Sequence, residues 1–190
     1  MTETERGTIR ETSNGGDRLQ LIAERERGQA VGPVDAAGVS FLSQILDEAL
    51  AYWHEIRGDS RIPQRDALVP EKIVALWPYI LMVDVIDDGS DYYFRLCGQR
   101  LVDSYGEQTG RTLMTAKIPS LVRDRCKQIF DHCVAQAIPT YAYWPESASE
   151  RRPLIDIEAL CLPLSSDGTT LDRMISLNVN SWRRSLAPGR

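Results

Sequence analysis

"YYFRLCGQRLVDSYGEQTGRTL", Tyr92 to Leu113, is the stretch whose reading decides the fold. Its first six residues are aromatic, branched or apolar apart from Arg95, which suits a half-buried pleated strand, and Gly98 ends the run. Gln99 to Tyr105 can form two turns of helix, Gly106 stands as a stop just past its end, and Thr109-Gly110 marks another reversal. Strand parity puts Tyr93, Arg95 and Cys97 on one face and Phe94 and Leu96 on the other. The stretch carries architecture and no catalytic motif.

Working outward, Tyr79 to Val85 (YILMVDV) is nearly continuous apolar, as in a strand covered on both faces, and "DDGSD" supplies a hairpin turn back to Tyr92. Downstream, Ser120 to Ala137 gathers Val122, Cys126, Ile129, Phe130, Cys133, Val134 and Ala137 on one side of a long helix, and Pro139 ends it. Thr140 to Trp144 reads as a strand. Leu154 to Leu164 and Leu171 to Val179 make a second hairpin across the Asp-Gly turn of "SSDGTT". Upstream, Leu42, Ile45, Leu46, Ala49, Trp53 and Ile56 recur at helical steps within Ser40 to Arg57, and Gly58 follows. A short helix fits between Pro70 and Pro78.

Residues 1 to about 38 are polar and almost free of aromatics, with one short helical possibility at Leu19 to Arg27, so they read as a largely flexible extension. The domain is expected over 39–182, with a tail at 183–190. With 190 residues, a net charge of −5 and no long uninterrupted apolar segment, the chain offers no electrostatic reason to bind nucleic acid and no membrane span. The N-terminus lacks the apolar core of a signal peptide, so the cytoplasm is the expected compartment. Cys97, Cys126, Cys133 and Cys161 are scattered without a CxxC pair and read as buried reduced thiols.

Hairpins at both ends and helices in the central crossover define an α+β fold: a five-stranded antiparallel sheet with helices packed on it, plus an N-terminal flanking helix. This order resembles the PAS sensor-domain family. The resemblance rests on "YWHEIRGDSRIPQRDALVP" (Tyr52–Pro70), on the Tyr92–Leu113 stretch and on the "LCLPLSSDG" hairpin (Leu160–Gly168), and it is nearest to a divergent bacterial subgroup whose members are often single-domain proteins. It implies that the Tyr92–Leu113 block joins the second strand to the helical wall of a small cavity. It also implies that the flanking helix packs on the outer sheet face or against its copy in a second subunit.

Several side chains are candidates for a site. Phe94, Leu96, Phe130, Cys133, Tyr141, Tyr143, Cys161 and Leu177 are the expected lining of an apolar cavity, with a filled core as the alternative. PAS relatives hold haem through a histidine on the long helix, but His132 falls roughly 120° from the centre of its apolar stripe, and His54 is displaced similarly on the first helix. Flavin-binding relatives use a cysteine after the second strand, and "GQRLVDSYG" (Gly98–Gly106) has none. No cofactor and no metal are therefore expected. Arg95 reads as a salt-bridge or dimer-contact residue. Asp156 and Glu158 share a strand face and read as a charged edge.

The expected function is a non-catalytic sensory or regulatory module in bacterial signalling that binds a small apolar ligand or a partner protein. A homodimer is expected through Leu42, Leu46, Ala49 and Trp53 of the first helix together with Tyr93. The competing class is a cone-shaped α+β enzyme of isomerase or dehydratase type, which needs a buried carboxylate facing a histidine or tyrosine in a pocket. Asp84, inside the apolar strand, is its one candidate.

Overall fold

Among the described residues the six strands pair antiparallel throughout, in the order β1-β4-β5-β6-β2-β3, with β1 at Val31–Asp35, β2 at Ile80–Ile86, β3 at Asp91–Cys97, β4 at Thr140–Trp144, β5 at Ile155–Ser165 and β6 at Leu171–Trp182. The computed structural model describes residues 31–145 and 155–182. The helical possibility at Leu19 to Arg27 and the tail at 183–190 lie outside them. The sheet has six strands where five are expected. The added one, β1, belongs to the segment read as extension, and it pairs with β4 through Val31 opposite Tyr143 and Val34 opposite Tyr141. Gly32-Pro33 breaks its register and hides the alternation that would mark a strand.

Helix α1, Gln44–Arg57, is capped by Ser43, whose hydroxyl accepts from the Ile45 amide at 3.3 Å. It lies over one sheet face and joins Leu46, Ala49 and Trp53 to Leu160, Leu162, Leu164, Ile175 and Leu177 in one apolar cluster. This corrects the interface expectation. Leu46 is 0% exposed, and Ala49 and Trp53 are buried with it inside a single chain, so the stripe offers nothing to a second subunit. The reason lies in Leu160, Leu162 and Leu164 of β5 and Ile175 and Leu177 of β6, which form an apolar patch on this face that needs covering. Leu42, just before the helix, stays exposed, and Tyr93 is partly so.

The opposite face carries α2 (Gln99–Tyr105) and α3 (Ser120–Gln136). Its cluster includes Leu81, Val83, Tyr92, Phe94, Phe130, Cys133, Ala142, Trp144, Ile157, Cys161 and Met174. No helix among the described residues is long and apolar enough to cross a membrane.

The Tyr92–Leu113 stretch departs from simple alternation at one residue. Met82 pairs with Leu96 and Val83 with Phe94, so Arg95 is the extra residue of a β-bulge. The bulge reverses parity beyond it. Leu96 packs toward α1, and Cys97 turns to the face of α2 and α3. Gly98 follows because the chain passes against Trp77 and Pro78: a methyl group there would lie 2.6 Å from the Pro78 carbonyl oxygen and nearer still to that of Trp77. After α2 the chain returns along the edge of β3. The Phe94 amide donates to Arg111 O, the Gly110 amide to Phe94 O and the Leu113 amide to Tyr92 O, each at 2.8 Å. Gly110 has φ +84°, the left-handed conformation that makes this return possible.

Candidate functional site

Between the sheet, α2 and the N-terminal half of α3 lies a cavity of about 510 Å³. Its origin is a division of labour along α3. The buried residues of that helix, Ile129, Phe130 and Cys133, all fall in its C-terminal half and press onto the sheet. There Tyr92 meets Phe130 edge-on at 5.0 Å and donates its hydroxyl to Asp131 at 2.6 Å. The N-terminal half carries Val122, Arg125 and Cys126, which border the open space instead. On the other side Gln108 fixes the exit from α2. Its amide nitrogen donates to Tyr105 O at 2.9 Å, and its amide oxygen accepts from the Lys117 amide at 2.8 Å.

The wall is apolar at Leu81, Phe94, Ile129, Trp144 and Ile157, and polar along β6 at Ser176, Asn178 and Asn180. That strand therefore turns a polar row, every second residue, to the cavity and an apolar row, Ile175 and Leu177, to α1. The Arg125 guanidinium lies 5.2 Å from the centre of the Trp144 ring. Burial draws its pKa below the ordinary arginine value, partly offset by Tyr105. Burial also pushes the Cys126 thiol up to about 12. The carboxylate on the lining, Asp103, accepts from Gln99 at 2.7 Å. Arg100 stands at the rim over the Tyr79 ring, 5.8 Å from its centre.

Of the eight residues expected to line a cavity, Phe94 does so. Phe130, Cys133 and Cys161 belong to the same cluster but to its closed end, where the Cys133 thiol points at Cys161 O at 3.9 Å and the Cys161 thiol at Met174 Sδ at 3.2 Å. The other four, Leu96, Tyr141, Tyr143 and Leu177, face α1. The bulge accounts for Leu96. For the tyrosines, "TYAYW" is apolar or aromatic on both parities, and Ala142 and Trp144 are the residues turned to the cavity side.

Tyr141 and Tyr143 donate instead to Glu158 and Asp156, each at 2.9 Å, and Glu158 also accepts from the Leu42 amide at 2.8 Å. The expected charged edge is thus a buried carboxylate row: Glu158 is 0% exposed and Asp156 6%. Both tyrosine–carboxylate pairs sit in the cluster beneath α1, on the sheet face opposite the cavity. Asp84 is held on that same face by Arg95 and by Arg173 at 3.4 Å. His54 is exposed beside Trp53, and His132 does not border the cavity. No group of metal-ligating side chains occurs among the described residues.

The residues that do form the site, Arg125, Cys126, Gln108, Ser104 and the Ser176/Asn178/Asn180 row, are absent from the sequence-based set. The row alone leaves a legible signal, polar residues at i, i+2 and i+4 alternating with Ile175, Leu177 and Val179.

A family model described as PAS domain matches residues 42–178, from the residue before the α1 cap into β6. The chain belongs to the PAS domain family. It is accordingly a module of the sensory or regulatory kind, a class that is in general non-catalytic. No curated protein and no solved structure matches it.

Proposed function

We propose that this chain is a non-catalytic, ligand-binding PAS module of bacterial signalling, active in the cytoplasm, with the cavity between the sheet, α2 and α3 as its ligand site. The observation that carries this reading is the cavity: about 510 Å³, with apolar residues from the sheet and α3 and a few polar groups supplied by α2, α3 and β6. That volume is in the range of small-molecule sites, roughly 300–1,000 Å³. A bound molecule would bridge α2 and α3 to the sheet and so bias the arrangement of the helical wall, the mechanical basis for signalling. Four free cysteines accord with a reducing compartment.

Thermal denaturation against a library of small metabolites tests the reading, with Ser104→Trp as control. Ser104 is exposed on α2 at the cavity wall, so a tryptophan there fills the entrance without touching the core. Compounds that raise the wild-type midpoint and leave Ser104→Trp unmoved support the site. A library without hits, or hits equal in both proteins, rejects it.

The proposal includes self-association, with Leu42 and Tyr93 as the contact residues still turned outward, and a signalling partner protein. Sedimentation of wild type against Leu42→Glu tests the first: a dimer weakened by the charge supports it, and a monomeric wild type refutes it.

A further inference from the structure

Nη1 of Arg125 is buried and has no hydrogen-bond partner among the described residues. Desolvating a guanidinium costs free energy that is recovered only when a counter-charge or acceptors are supplied. The ring of Trp144 supplies part of this from one side. The lining offers no carboxylate close at hand, since Asp103 is exposed and engaged with Gln99. Its polar side is made of neutral donors. Asn178 and Ser176 are joined by one long contact of 3.4 Å, which leaves amide and hydroxyl hydrogens for a guest. Beside them on the sheet stand Leu81, the strand partner of Ser176, and Ile157, the strand partner of Asn180, with Phe94 further along the sheet and Ile129 facing them from α3.

We infer that the cavity takes an organic monocarboxylate with an apolar body, its head group on the Arg125 guanidinium and the Asn178–Asn180 side, in the strand row of Trp144 and Ile157, and its body against Phe94 and Ile129. The inference rests on the ligand-site reading above and narrows its ligand from a small apolar molecule to an amphipathic anion. A planar guanidinium matches a carboxylate with two parallel hydrogen bonds, and such charge-assisted pairs are the strong ones. One half-buried cation balances one negative charge, which is why the site fits a monoanion better than a phosphate. Arg100, at the rim, adds a positive field along the way in. The lowered pKa of Arg125 is the sign of the same unmet desolvation, and a bound carboxylate would restore it.

Calorimetry and thermal denaturation with sodium octanoate and sodium 4-phenylbutyrate, against octanamide and 4-phenylbutyramide, form the test. Wild type, Arg125→Gln, Arg125→Lys and Ser104→Trp are compared, each checked for an unchanged near-UV circular dichroism spectrum. Wild type is expected to bind at least one carboxylate tenfold or more tighter than its amide. Arg125→Gln should lose that preference, Arg125→Lys should keep part of it, and Ser104→Trp should bind neither. Carboxylate binding that survives in Arg125→Gln overturns the inference, as does absence of carboxylate binding to wild type. Amides that bind wild type as well as the acids and are excluded by Ser104→Trp overturn it too, while leaving the ligand site itself standing.

Discussion

The indole N–H of Trp53 donates to the carbonyl of Pro163 at 2.7 Å, joining the middle of α1 to an inner strand of the sheet. The bond exists because of where the proline falls. β4 accompanies β5 only as far as Cys161, so beyond that point one side of β5 is open, and a residue without an N–H is tolerated there. The same opening leaves the Pro163 carbonyl for the indole, and Pro63 takes the next amide, that of Ser165, at 3.0 Å.

Trp53→Phe keeps an aromatic ring in the cluster but removes the donor from a buried carbonyl. Loss of such a partner costs about 1–3 kcal/mol, and the smaller ring adds a packing deficit. At about 2–4 °C per kcal/mol for a chain of this size, the thermal midpoint is expected to fall by roughly 2–12 °C. A midpoint within a degree of wild type would show that the bond contributes nothing.

Gly98→Ala is expected to be more damaging than a surface glycine replacement, although its φ of −66° is ordinary for alanine. The obstacle is space, because the added methyl meets two backbone carbonyls that cannot rotate away. Overpacking of this kind costs about 1–3 kcal/mol, and the displaced element is α2, the cavity wall. Urea denaturation of Gly98→Ala beside Gly106→Ala, whose site is open but has φ +74°, separates crowding from backbone strain. Equal and small losses in both would contradict the crowding account.

Ala137 ends α3 in the left-handed conformation at φ 54°, with its amide donating to Cys133 O at 2.8 Å. Glycine is the residue that this position favours. Ala137→Gly removes a strain of about 1–2 kcal/mol and adds some unfolded-state entropy, for a net gain of a few tenths to about 1 kcal/mol. Differential scanning calorimetry should show a midpoint about 1 to 3 °C higher by the same size scaling. A lowered midpoint would contradict this assignment.

Alkali should destabilise the fold before it reaches the arginines. Burial pushes the Cys126 thiol up to about 12, and burial together with the bond to Asp131 pushes the Tyr92 phenol well above its ordinary range. In the unfolded chain these groups ionise near their reference values, roughly 8.5 and 10. Both values are raised on folding, so the contribution is complete below about pH 8.5 and is lost as pH rises toward the folded values. In that window the unfolded chain binds fewer protons and stability falls by about 1.4 kcal/mol per pH unit for each group titrating. Urea midpoints at pH 8, 9.5 and 10.5 should decline, less steeply in Cys126→Ala. A flat series would refute the assignment.

The elements of this fold were readable because their boundaries are set locally. Gly98, Pro139 and the Asp167-Gly168 pair each act on their own neighbours, and the strands and helices they delimit stand where periodicity puts them. Which face each strand presents is a different matter. The bulge at Arg95 depends on how β2 aligns with β3, and that alignment exchanged Leu96 for Cys97 at the cavity. In β4 both parities carry large rings, so alternation could not separate Tyr141 and Tyr143 from Ala142 and Trp144. Arg125 lies off the apolar stripe of its helix, and its covering comes from Trp144, distant in sequence, which helical periodicity cannot show.

The return of Gly110 to Leu113 along β3 bears on how this protein stays dispersed. An open sheet with a bare terminal strand is a template for end-to-end stacking into fibres. Here one terminal strand has its backbone groups taken by the same chain, and at the other terminus Pro33 interrupts the row of amides that an incoming strand would need. A partner reaching the β3 flank must therefore grip side chains, since the main chain of Tyr92 and Phe94 there is already bonded to Arg111, Gly110 and Leu113.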